Sequence, residues 1–218
     1  MCGRYALHSN PQVIGLEFAL GAVPDFAARY NIAPTARVLV VRAPGTARQG
    51  AMLRWGLVPR WAKDPSIGAR MNNARAETVA AKPSFREAYR RRRCLLPADG
   101  FFEWKAEDGR KQPYYITPAD GGLFAFAALW ETWNGPPGPL ETCAIVTTDA
   151  NEAMAAVHER MPVIVPRGEY ARWLDCAAGN DVGDLLHPAA DGTIAIRRVG
   201  RAVNFARNDS PKLVEPEE

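Results

Sequence analysis

Cysteine and histidine are scarce in this sequence, and their placement excludes the usual metal sites. Its 218 residues include 4 cysteines and 3 histidines. Cys2, Cys94, Cys143 and Cys176 form no C-x-x-C pair, and His8, His158 and His187 lack ligand spacing, so neither a metal nor a cofactor is expected. There is no G-x-G-x-x-G or G-x-x-x-x-G-K-S/T loop, which disfavours dinucleotide and nucleoside-triphosphate cradles. No apolar run reaches membrane-spanning length and no secretory leader is evident; a soluble, cytoplasmic chain without a membrane partner is expected, nucleoid-associated if bacterial. Internal repeats and low-complexity segments are also missing, which removes solenoids and biased linkers from consideration. Net charge is only +3, too small for a strong nonspecific field over the whole surface.

What is present is punctuation. The 18 glycines and 18 prolines suit many turns between short elements rather than long helices. "RVLVVRA" and "TCAIVTTDA" read as strands, and "GAMLRWGLVPRWA" reads as a strand running into a proline-interrupted loop. "RCLLPADGFFEWKAEDGRKQPYYIT" reads as two strands around a hairpin at Glu107-Asp108-Gly109. "LFAFAALWETW" is a strand or another buried apolar segment. Helical spacing occurs in "PSFREAYRR", in "NEAMAAVHERMP" up to Pro162, and in "EYARWLD". The expected fold is α+β: one domain spanning 1–218, with a mainly antiparallel, barrel-like sheet core, a few short flanking helices and a loose tail from about 212. A monomer is expected.

Candidate chemistry begins at the second residue. Removal of Met1 by an aminopeptidase would leave Cys2 with a free α-amine beside its thiol. Such a 1,2-aminothiol condenses with an aldehyde to an imine, and the thiol then closes a thiazolidine ring. With reference pKa values of about 7.7–8.0 for the amine and about 8.5 for the thiol, the pair needs an acid/base partner at neutral pH. Glu103, among the aromatics of "GFFEWK", and His158, on the apolar helical stretch "AVHERMP", are candidates. Taken singly, a strand glutamate usually faces solvent and a lone histidine usually has a packing role. In "MNNARAET", strand alternation would place Asn73, Arg75 and Glu77 on one face. Trp55, Trp61 and Trp104 offer surfaces on which bases can stack, although tryptophans also fill cores. The run "SFREAYRRRRC" suits either a local anion site or a solvated helix end. Cys94 and Cys143, in apolar surroundings, read as buried packing residues.

Taken in order, "MCGRY", "WGLVPRWAKD", "NARAET", "RRCLLPADGFFEWK" and "HERMPVIV" resemble the SOS-response-associated peptidase (SRAP) family, from Cys2 to about Pro211. The resemblance implies a protein that recognises abasic sites in single-stranded DNA. It would join its N-terminal cysteine to the ring-opened sugar as a thiazolidine and so shield the lesion during the damage response. Cys2 is then the nucleophile, Asn73 orients the reacting groups, Glu103 shuttles protons, and His158 assists ring opening. Arg4 and Arg75 match phosphate-contacting arginines of the family, and Trp61 and Trp104 lie in motifs that supply aromatic contacts to DNA. The family name also implies a thiol autopeptidase, a hydrolase activity that would here release only Met1, alongside lyase-like Schiff-base chemistry.

An N-terminal-nucleophile glutamine amidotransferase also starts with "MCG", but such enzymes usually continue with an apolar residue where this chain has Arg4. A nucleic-acid-binding module in which Cys2 is incidental is the non-enzymatic rival.

Overall fold

β-branched and aromatic runs, cut every few residues by glycine or proline, fold into short strands joined by tight turns. The structure is a computed structural model describing residues 2–45, 47–136, 138–177 and 180–217. The strands are β1 (Arg4–Leu7), β2 (Arg29–Ile32), β3 (Arg37–Arg42), β4 (Gln49–Trp55), β5 (Asn73–Arg75) and β6 (Arg93–Ala98), followed by β7 (Gly100–Glu107), β8 (Arg110–Pro118), β9 (Phe124–Gly135), β10 (Gly138–Asp149), β11 (Arg160–Pro162) and β12 (Ile194–Arg198). The helices are short: α1 (Pro11–Phe18), α2 (Ala76–Val79), α3 (Arg86–Arg91), α4 (Glu152–Ala155) and α5 (Tyr170–Leu174). None of them is long and apolar enough to cross a membrane.

Two sheets result. The first has five strands in the order β12-β8-β7-β1-β2, antiparallel throughout. In the second, β10 pairs β9 on one side and β4 on the other, while β4, β3, β6 and β9 follow in succession. That path closes on itself, so the strands of the ring have no open edge. β10 makes this possible by running for 12 residues and changing partner along its length. Its far end pairs β5 in parallel and β11 antiparallel. The architecture is α+β with a barrel-like core, as the sequence predicts.

The hairpin at Asp108-Gly109 forms where expected: both residues have positive φ, 48° and 73°, the twist a two-residue turn between antiparallel strands needs. Between the sheets lies one large apolar core, in which Tyr5 meets Trp55 edge-on with ring centroids 5.4 Å apart. Trp55 is thus a core residue rather than a stacking surface. Cys94 and Cys143 are fully buried there. A smaller cluster of Ala6, Phe102, Tyr115, Val199, Val203 and Leu213 lies on the other face of the first sheet. The loop from β4 to β5 is pinned where Gly56 (φ 130°) and Gly68 touch; a Cβ on Gly56 would stand 2.4 Å from the Gly68 carbonyl oxygen.

Three local expectations are corrected. The helical pattern of "NEAMAAVHERMP" yields only α4, and by Arg160 the backbone has become β11, paired with β10 at Met161↔Thr148. Strand pairing outweighs the local helical period, so His158 sits in a turn and not on a helix. In "NARAET", β5 ends at Arg75 and α2 begins at Ala76, so Glu77 leaves the face of Asn73 and Arg75. The tail expected to be loose from about 212 is held: Leu213 is 3% exposed, Pro216 bridges Val199, and Glu217 pairs with Arg198 at 2.6 Å.

Candidate active site

Cys2 lies just ahead of β1, and because β1 pairs antiparallel with β7 in the register Arg4↔Phe102, the chain before Arg4 runs alongside Glu103. Strand alternation turns Phe101 and Glu103 toward the large core and Phe102 and Trp104 away from it. Glu103 is 3% exposed. The second sheet supplies the facing groups: β5 places Asn73 alongside Ile145 of β10, and the turn before β11 carries His158.

The geometry joins these four residues. Asn73 Nδ2 donates to the Cys2 carbonyl oxygen at 2.8 Å, with Asn72 Nδ2 more distant at 3.4 Å. His158 Nε2 stands 3.9 Å from Glu103 Oε2. The Arg160 N–H donates to His158 Nδ1 at 2.9 Å, which turns Nε2 toward Glu103. Asn73 Oδ1 is buried, and among the described residues it accepts no hydrogen bond. A buried acceptor of this kind costs free energy unless an incoming donor fills it.

Burial sets the protonation states. It pushes the Cys2 thiol far above its ordinary value, and the neighbouring Glu103 carboxylate pushes the same way. Burial also raises the Glu103 carboxyl, against which His158 acts. Burial thus favours the neutral form of both the thiol and the neighbouring carboxyl group. Among the described residues, no cluster of His, Cys, Asp or Glu is placed to hold a metal ion.

Next to Asn73 opens a groove of about 710 Å³ lined by Arg70, Arg75, Thr78, Lys82 and Phe85 among others. Arg75 lines this groove together with Arg70 and Lys82, two residues that were not singled out in the sequence. Their charges lie outside the conspicuous motifs, and only the fold brings them together. Arg160 is a second addition, legible in hindsight from its place two residues after His158. Its guanidinium reaches Glu77 Oε1 and Asp149 Oδ1, both at 2.6 Å, and the Thr147 carbonyl at 2.8 Å, tying the His158 turn to α2 and β10.

The remaining expected residues stand apart. Arg4 donates to Asn31 Oδ1 and the Val203 carbonyl, both at 2.9 Å, and its guanidinium is 6.0 Å from the Trp104 ring. Trp104 Nε1 donates to Asn204 Oδ1 at 2.6 Å. Both side chains are on the face of the first sheet away from Glu103, where residues 201–204 cover them. Trp61 is 61% exposed, on the loop pinned by Gly56 and Gly68.

Comparison with known proteins adds an independent line. The family described as SOS response associated peptidase (SRAP) matches residues 1–206. The abasic site processing protein YoqW of Bacillus subtilis (strain 168) is 41% identical over 222 residues, covering 99% of both chains. The abasic site processing protein HMCES of Gallus gallus is 36% identical over 191 residues, 75% of this chain and 56% of that longer one. A crystal structure of a Bacteroides thetaiotaomicron protein covers 100% of both chains with a TM-score of 0.88 at 24% identity, a likeness of fold alone. A phage-related protein from Bordetella bronchiseptica superposes with a TM-score of 0.71 at 30% identity, covering 91% of this chain and 94% of that one.

Proposed function

This chain belongs to the SOS response associated peptidase family, and from that premise we propose that it processes abasic sites in single-stranded DNA by joining them covalently to Cys2. The observation that carries the reading is the convergence of Cys2, Asn73, Glu103 and His158, far apart in sequence, with Asn73 Nδ2 2.8 Å from the Cys2 carbonyl and His158 Nε2 3.9 Å from Glu103.

Each residue then has a step. A closed abasic sugar opens when its C1 hydroxyl loses a proton and its ring oxygen gains one, and His158 carries that proton. Once Met1 is gone, the Cys2 amine adds to the aldehyde carbon, forming a carbinolamine; Asn73 holds the Cys2 backbone and offers Oδ1 to the amine N–H. The Glu103 carboxyl group protonates the carbinolamine hydroxyl, which leaves as water and yields an iminium ion. The carboxylate takes the thiol proton, sulfur bonds to the same carbon, and the C=N electron pair returns to nitrogen. The product is a thiazolidine plus one water, with Glu103 again protonated. An intact nucleotide offers no aldehyde, so selectivity lies in the chemistry, while Arg70, Arg75 and Lys82 hold phosphates without reading bases.

Intact-protein mass spectrometry on chain lacking Met1, incubated with a single-stranded oligonucleotide bearing one abasic site, tests this. The expected result is a lesion-dependent adduct mapping to Cys2 and lost in Cys2→Ala. No adduct from a free Cys2 amine would overturn the reading and direct attention to glutaminase activity.

A further inference from the structure

The arginines of "SFREAYRRRRC" divide into two sets in the fold. Arg93 is 3% exposed and donates to the carbonyls of Tyr89, Trp173 and Asp175. Arg92 pairs with Glu131 at 2.8 Å and Arg91 with Glu87 at 2.9 Å. Those three serve the fold. Arg86 and Arg90 differ: both are exposed on α3, and among the described residues no carboxylate lies within ion-pair distance of either.

Their placement is directional. Four residues apart, Arg86 and Arg90 share one face of α3, separated by about 6 Å along the axis. The Lys82 carbonyl accepts the Arg86 N–H at 2.9 Å, so Lys82 stands one turn earlier, and its side chain lines the groove beside Asn73. At the other end of α3, Arg90 lines a second cavity of about 340 Å³ with Tyr89, Arg91, Arg93 and Asp181. α3 therefore runs between the groove next to the candidate active site and a second concavity, carrying two exposed arginines that form no ion pair among the described residues.

We infer that α3 extends the DNA path: Arg86 and Arg90 hold phosphates of the strand beyond the groove, lengthening the footprint on one side of the lesion. The inference rests on the function proposed above. Its occupant is argued from charge, because exposed cations without carboxylate partners, continuous with a cationic groove, complement a polyanion.

The test uses single strands carrying one tetrahydrofuran abasic analogue, which has no aldehyde and so reports reversible binding alone, with arms of increasing length on either side. For the unaltered protein, affinity should rise with the length of one arm beyond the reach of the groove. Arg86→Gln/Arg90→Gln should lose that gain and lower the slope of log K against log salt by about 1.4, at about 0.7 per phosphate contact. Arg86→Lys/Arg90→Lys should retain most of both. Equal length dependence and equal slope in the Gln variant would overturn the inference, as would a loss of affinity independent of arm length. The proposed chemistry is read separately, on short strands with a true abasic site, where the Gln variant should form adduct at the unaltered rate; if neither protein forms adduct, the functional reading fails whatever the arms show.

Discussion

Glu103 shows what the site asks of a single residue. Burial raises its carboxyl group above the ordinary carboxylate value, so the folded chain binds this proton more tightly than the unfolded one. Stability from this group is therefore complete below the unfolded-state pKa, about 4.3, and is lost as pH rises through the higher folded value. Glu103→Gln cannot ionise; its melting temperature should match that of the unaltered protein in acid and exceed it near neutrality. Thermal melts across that range check this, and a Gln variant less stable at neutral pH would contradict it. The same substitution should slow crosslink formation by about 10²–10⁴-fold, the usual worth of a positioned acid/base group, in single-turnover capture assays. A group that lowers stability while serving chemistry is a common trade at active sites. In the sequence Glu103 was legible only as a carboxylate among aromatics; its burial depends on a second sheet that no local pattern announces.

At the scale of elements, the turn before β11 is the most informative. Arg160 is held by Glu77 from α2 and Asp149 from β10, and its own N–H fixes the His158 ring. Because the Glu77 carboxylate is half exposed, Glu77→Gln should cost about 1 kcal/mol or less of stability. If the latch positions His158, that variant should nonetheless slow capture of closed-ring abasic sugar several-fold while leaving reaction with a simple aldehyde unchanged. Equal rates on both substrates would reduce Glu77 to a surface ion pair. This element was also the least legible. "NEAMAAVHERMP" has a helical period, yet Arg160, Met161 and Pro162 are claimed by pairing with β10, a long-range contact that periodicity cannot register. The Asp108-Gly109 hairpin was legible for the opposite reason, since two adjacent residues supply all the geometry it needs. Asn73 and Arg75 were read correctly as strand residues, and Glu77 was not, because α2 starts between them.

For the whole molecule, the tail and the sheets act together. Leu213 anchors residues 211–217 against the smaller apolar cluster, and Leu213→Ala should cost about 2–4 kcal/mol in denaturant titrations; a loose tail would make it silent. The outer contacts of β12 would loosen with it, since Pro216 bridges Val199 and Glu217 meets Arg198. β1, by contrast, is an interior strand, bonded to β2 on one side and to β7 on the other. If Cys2 is the point of attachment, the strand is joined to the polypeptide just ahead of β1, and a motor hauling on the DNA pulls β1 along its own axis. The hydrogen bonds of an antiparallel pair run across that axis, so both ladders carry the load together in shear instead of opening one bond at a time. A protein joined in this way would be anchored mechanically as well as chemically, and would resist being unravelled from its attached end.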